Sequence, residues 1–124
     1  MKLKAIEHDF TVCKVRDISQ VDFNDEFCFL GKTDEEISLV CRSEKTPLNT
    51  VEREDGLRAF RIEGILDFSL VGILSRISAV MAENEIGIFA LSTFNTDYVL
   101  VKKHNFERAV NALRGAGYEV SDTN

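Results

Sequence analysis

Three features of this 124-residue sequence predict an α+β fold. The stretch 64–102 carries a helical run of apolar residues, then a long apolar strand, then a tight polar turn. Apolar runs of strand length recur before it, and a second helical run lies near the carboxyl end. At 44% hydrophobic residues the chain can build one full core, or two small units sharing a sheet, but not two independent domains.

Taken in order, the alternation of Phe10 and Val12 against Thr11, Cys13 and Val15 predicts a first strand over 9–15. Residues 17–26 are polar, with Ile18, Val21 and Phe23 loosely spaced, and read as a loop with room for a turn of helix. The runs 27–30 and 37–41 are two short strands joined by the polar residues 32–36, hence a hairpin or close neighbours. The single proline, Pro47, lies among polar residues and makes 42–56 the best linker candidate, a connection rather than a domain boundary. Residues 57–66 alternate as a strand, interrupted at Gly64 by a bulge or a close backbone approach.

Leu70, Ile73, Leu74, Ile77, Val80 and Met81 recur at three- and four-residue spacing and form one face of a helix. Ser69 suits its N-cap, and Asn84 suits the left-handed residue that ends it. Residues 86–94 are apolar on both alternate sets, as expected of a central strand covered on both faces. Asn95 and Thr96 supply a turn, and 98–101 continue as the antiparallel partner. A last helix, capped by Asn105, aligns Phe106, Ala109, Val110 and Leu113 before Gly115 and Gly117 stop it, and 118–120 form a final short strand.

From residue 57 onward this order is βαββαβ, the ferredoxin-like scheme of an antiparallel sheet with both helices on one face. The first half offers the strands of the same scheme with its helices shrunken. Thr33 and Asp34 precede Ile37–Val40 as Thr96 and Asp97 precede Val99–Val101, an internal echo offset by a two-residue insertion. The expected division is a reduced unit over 1–56 and a complete one over 57–124.

Charge and motifs exclude several functions. A net charge of −6 and a pI near 4.9 argue against nucleic acid and against anionic membranes as partners. No signal-peptide or membrane-spanning pattern is present, so the expected location is the cytoplasm. Cys13, Cys28 and Cys41 are too widely spaced for a CxxC redox or zinc motif and read as buried small hydrophobes. No GxSxG elbow, P-loop, zinc-ligand cluster or Rossmann fingerprint occurs, which predicts no enzyme, no metal and no cofactor. His8 and His104 are expected at the surface.

What remains is binding. A free amino acid needs amide donors for its carboxylate and a carboxylate or carbonyls for its ammonium. The segment Phe68, Ser69, Leu70, Val71 leads into a helix whose free first-turn amides favour an anion, and Gly72 leaves room for a ligand to reach the backbone. Asp97 can pair with an ammonium, with Thr93 and the backbone at Phe94 adding polar contacts; Asp97 equally suits a tight turn. Asp67 either orients ligand or satisfies loop amides.

The segments EGILDFSLVGIL (63–74) and IGIFALSTFNTDYVLV (86–101), with TDEEISLVC (33–41) in support, resemble the ACT domain. The resemblance is specifically to tandem-ACT proteins related to aspartate kinase regulatory domains and to the animal cytosolic arginine sensors. It implies that Thr93, Phe94 and Asp97 occupy ligand-contacting positions, that Val71, Gly72 and Ile73 form the helix-start loop, and that Ser38 and Leu39 approach from the first unit. Glu85 departs from the family's frequent glycine, with Asn84 available for the left-handed role. The implied function is a stand-alone regulatory module that binds a small effector, an amino acid, and acts through a homodimer or an unidentified partner protein. The alternative is a docking module with no ligand.

Overall fold

Two long strands, β1 (Lys2–Val15) and β4 (Thr50–Ile62), carry the frame of the protein. The computed structural model describes residues 1–64 and 72–121. Between the long strands lie β2 (Cys28–Lys32) and β3 (Ile37–Arg42); after them come α1 (Ile73–Glu83), β5 (Phe89–Ser92), β6 (Asp97–Lys102), α2 (Phe106–Gly115) and β7 (Glu119–Ser121). The chain divides into two compact units, Met1–Glu7 with Arg58–Asn124, and His8–Leu57, so β1 and β4 each contribute to both. Among the described residues no helix is long and apolar enough to cross a membrane.

In the helix-bearing unit the strand order is β5-β6-β4-β1-β7. The amino-terminal part of β1 lies between β4 and β7, with Lys2, Leu3 and Lys4 opposite Glu119, Val120 and Ser121 in parallel. That parallel pair is an exception to the antiparallel scheme, and it arises from the extra strand beside β4. Leu3, Ala5, Phe60, Ile62, Val99, Val101 and Val120 from the strands pack with Ile77, Met81, Ala109, Val110 and Leu113 from the helices. The 3.6-residue spacing of the helical set and the two-residue spacing of the strand set bring their apolar faces together. Phe60 stacks on Phe106 with centroids 5.2 Å apart, and the Arg58 guanidinium lies 4.0 Å above the same ring.

The unit His8–Leu57 has the order β2-β3-β1-β4 and no α-helix. Its small core is Cys13, Val15, Leu39 and Cys41, flanked by Val21, Cys28 and Ile37. Phe10 and Val40 are buried as well, with Phe27 edge-on to Phe10 at 5.6 Å between centroids, and polar ties add to this cohesion. Thr11, 0% exposed, donates to Asp55 Oδ1 at 2.7 Å, and its hydroxyl lies 2.8 Å from that of Ser43. Arg42 at the end of β3 grips both oxygens of Asp25, tying the 16–27 connection to the sheet. This pair holds the Asp25 carboxyl down at about 2, chiefly through the hydrogen bond from Arg42.

Several expectations need correction. β1 begins at Lys2 rather than at residue 9, and half of the expected linker 42–56 is strand, because Thr50 starts β4. β5 is an edge strand, not a central one, and Phe89 is 40% exposed. Ile86 and Ile88, which suggested a strand covered on both faces, precede β5 and pack with the helical core. The left-handed residue after α1 is Glu85 itself (φ 56), while Asn84 at φ −102 caps the helix with its backbone. Asn105 precedes α2 without a side-chain capping bond. His8 is half-buried, its ring against Phe27.

β4 carries a change of phase. Asp55 shares a face with Thr11, odd with odd, whereas Phe60 and Ile62 share a cluster with Leu3 and Ala5, even with odd. Gly56 stands at the change-over with φ 76, the left-handed backbone of a glycine bulge.

Candidate functional site

The turn 93–96 links β5 to β6 and is built largely by threonine. Thr93 N–H donates to Thr96 O at 2.8 Å, and the Thr93 hydroxyl donates to the same carbonyl at 3.1 Å. Thr96 is buried, and its hydroxyl donates to Ile62 O at 2.7 Å. The turn is thereby fixed to the end of β4, the strand from which the chain departs towards α1. Ser92 Oγ donates to Asp97 Oδ1 at 2.5 Å, which fixes the carboxylate at the head of β6. Phe94 projects from the tip with 97% of its surface exposed.

The other half of the expected site is the start of α1. Gly72 occupies the N-cap with φ 79, so a side chain there would be strained, and its carbonyl accepts from Arg76 N–H at 2.9 Å. No acidic residue lies in the first turn of this helix. Instead the Arg76 side chain folds back over Gly72: a Cβ at residue 72 would lie 3.5 Å from Arg76 Nη2. A guanidinium at the positive end of a helix is placed against the dipole, by about 0.3–1 kcal/mol, unless an anion joins it. Among the described residues Arg76 makes no ion pair. Sequence reasoning missed Arg76 because it placed the N-cap at Ser69, whereas α1 begins at Ile73 with Gly72 as N-cap, which brings a basic residue into the turn where an acidic one is normal.

Thr93, Phe94 and Asp97 belong to one turn, and Gly72 and Ile73 to one helix start, all in the helix-bearing unit. The Ile73 side chain is buried in that unit's core, so only its backbone is open to a ligand. Asp67 and Val71 lie outside the described residues, as do Phe68, Ser69 and Leu70. Ser38 and Leu39 belong to the unit His8–Leu57. There Leu39 is core, while Ser38 lines a depression of about 230 Å³ with Lys14, Glu36, Glu52 and Glu54. The threonine-built turn 93–96 has a counterpart at 33–36. Thr33 N–H donates to Glu36 O at 2.9 Å, and the Thr33 hydroxyl accepts from the Glu35 and Glu36 amides at 3.1 and 3.2 Å. The echo therefore aligns Thr33 with Thr93 and needs no insertion. Among the described residues no group of acidic, histidine or cysteine side chains is arranged to hold a metal ion.

Residues 52–115 match a family model described as the ACT domain. A crystal structure of a protein from Agobacterium tumefaciens superposes with a TM-score of 0.87 at 26% identity, covering 99% of this chain and 93% of that one. A protein from Vibrio cholerae, described as of unknown function and a possible transport protein, superposes at 0.72 with 18% identity, over 90% of this chain and 85% of its own. Clostridium acetobutylicum aspartate kinase, described as an allosteric enzyme, superposes at 0.64 with 15% identity, over 92% of this chain but 33% of the kinase. The last two likenesses are of fold. No curated protein matches the chain. The family model spans just over half of the 124 residues, 52–115, and takes in both helices, β5, β6 and the 93–96 turn: the chain belongs to the ACT domain family.

Proposed function

We propose that this protein is a regulatory module of the ACT type that binds a small molecule, and that the ligand is an amino acid. The observation that carries this reading is Arg76, an exposed guanidinium held over the glycine N-cap of a helix whose first turn has no acidic residue. A carboxylate there gains the free amides, the helix dipole and a guanidinium. Asp97, whose Oδ1 is already fixed by Ser92, is the group for the ligand's ammonium. Asp67 and Val71 belong to the loop side of this proposed site, Thr93 and Phe94 to the turn side. Family membership and the likeness to an allosteric aspartate kinase support a regulatory role rather than catalysis.

The same reading takes the chain as a tandem pair, a reduced unit over 1–56 and a complete one over 57–124. The matching turns at 33–36 and 93–96 support it. Three free thiols agree with a cytoplasmic setting. Homodimerisation through the β5 edge is the proposed route of output, because that edge exposes Phe89 and the adjoining turn exposes Phe94. The same edge supports the second reading, a docking module without ligand.

Thermal shift against the proteinogenic amino acids at millimolar concentration separates the two. A ligand at a hundred times its dissociation constant adds about 2.7 kcal/mol of stability. At least one amino acid should raise the midpoint, and both Arg76→Ala and Asp97→Ala should abolish the rise without lowering the midpoint of the free protein. A flat response to all of them favours the docking module. An undiminished response in Arg76→Ala places the carboxylate elsewhere.

A further inference from the structure

The three cysteines, far apart in sequence, come together on one face of the His8–Leu57 sheet. Cys28 on β2 is directly opposite Cys41 on β3, and Cys13 on β1 is opposite Leu39, two residues from Cys41. All three are free thiols; Cys13 and Cys41 are buried, and Cys28 is half-buried.

The ladder shows which pair can join. Thr33 N–H donates to Glu36 O, so residues 33 and 36 form a hydrogen-bonded pair closing the β2–β3 hairpin. Bonded and non-bonded pairs alternate along an antiparallel ladder. Gly31 with Ser38 and Phe29 with Val40 are therefore bonded pairs, and Cys28 with Cys41 is a non-bonded one. In such a pair the Cα atoms approach to about 4.5 Å with the side chains on the same face, inside the span of about 4.4–6.8 Å that a disulfide bridges. The Cys13 thiol also lies in hydrogen-bond contact with that of Cys41, but the two residues are diagonal across the ladder, and a diagonal pair, with about 7–8 Å between its residues, exceeds the span a disulfide bridges without backbone movement.

We propose that Cys28 and Cys41 form an oxidation site that takes a hydroperoxide as substrate and closes as an intramolecular disulfide, leaving Cys13 reduced. Cys28, the half-exposed thiol, reacts first. Its thiolate sulfur attacks one peroxide oxygen, the O–O bond breaks, and the departing hydroxide takes up the thiol's proton as water. Cys28 is then a sulfenic acid. The Cys41 sulfur attacks the Cys28 sulfur, the S–O bond breaks, and the second hydroxide leaves with the Cys41 proton as a second water. Two thiols lose two electrons and two protons, which the peroxide gains.

Burial sets the rate. It raises all three thiols above their ordinary range, and Cys13, beside Cys41 as well, is pushed up to about 11. The thiolate is the reacting form, so the reaction is slow at neutral pH and accelerates as pH rises. The product links the edge strand β2 covalently to β3.

The test treats the full chain with hydrogen peroxide at pH 7 and pH 8.5, quenches, denatures and counts thiols by maleimide labelling with peptide mapping. Two of the three cysteines should become unlabelled, with a dithiothreitol-reversible 28–41 cross-link, faster at the higher pH. Cys13→Ser should leave this product unchanged, and Cys28→Ser should remove it. A cross-link between 13 and 41, chain-to-chain dimers without an internal link, or retention of all three thiols would each overturn the proposal.

Discussion

The two units of this protein solve the same covering problem with different materials. Each has a strand, a threonine-built turn and a returning strand that ends in a short 3-10 turn: β2, 33–36, β3 and Ser43–Lys45 in one, β5, 93–96, β6 and Lys103–Asn105 in the other. The returning strands, Ile37–Arg42 and Asp97–Lys102, bury their residues in the same sequence along the strand. The two chains of events part after the 3-10 turn. Beyond Lys103–Asn105 the backbone continues into α2, whereas beyond Ser43–Lys45 it turns extended at Thr46 (ψ 127) and enters Pro47. Proline lacks an amide donor and biases its predecessor away from helix, so one residue type decides which unit receives a helix at this point. Where α1 and α2 supply apolar cover in one unit, the other has a small thiol-rich cluster, the buried Phe10 and Val40 with Phe27 against Phe10, and a set of polar ties.

That contrast is open to direct attack. The largest effect is expected in the helix-covered core. Ile77→Ala removes a fully buried side chain between helix and sheet and should cost about 2–5 kcal/mol by urea denaturation. Thr11→Val is the matching test of polar cover. It keeps the shape but strips the hydroxyl that joins Ser43 to Asp55, and should cost about 1–2 kcal/mol. A neutral or stabilising result would show that apolar burial alone holds the His8–Leu57 unit.

The smallest effect is one of pH. The Asp25 carboxyl, lowered from 3.8 to about 2 mainly by its hydrogen bond from Arg42, favours the folded state while ionised. Its contribution is complete above the ordinary carboxyl value and is lost as pH falls towards 2. Asp25→Asn should flatten that part of the stability profile, and hydrogen exchange should show the loss confined to the His8–Leu57 unit. An unchanged acid profile in Asp25→Asn would show that other carboxyls account for it.

Much of the architecture was legible because periodicity reports burial. Ile73, Ile77 and Met81 on α1, and Ala109, Val110 and Leu113 on α2, fall where their spacing places them. β5 was misread for the same reason. Apolar character at Ile86, Ile88, Phe89 and Leu91 registers burial without saying whether helix, sheet or an exposed edge receives it. The start of β4 was obscured because Val51, Glu52, Arg53 and Glu54 are exposed, and a strand without a buried face leaves no alternation. Of the candidate site, the turn residues Thr93 and Asp97 were visible through turn chemistry. The tie from Thr96 to Ile62 was not, since a hydrogen bond across 34 residues has no local signature. Nor was Arg76, since a helix capped at Ser69 puts it about two turns in, and only the N-cap at Gly72 brings it to the positive end of the dipole.

Gly56 fixes the counting of β4. Its left-handed backbone inserts a half-step into an otherwise two-residue rhythm, so that odd residues before it and even residues after it meet the odd residues of β1. The strand therefore behaves as two words written in opposite phase with one letter as the spacer. Holding residue 56 in regular extended backbone, as Gly56→Val would, imposes an unbroken alternation at the same length and turns one half inside out, exchanging Phe60 and Ile62 for Arg61 and Ala59, or Asp55 and Arg53 for Glu54 and Glu52, whereas deleting the residue leaves both halves on their present faces. Loss of the left-handed backbone here is thus far more disruptive than any substitution in the polar connection 16–27, where no register depends on one residue.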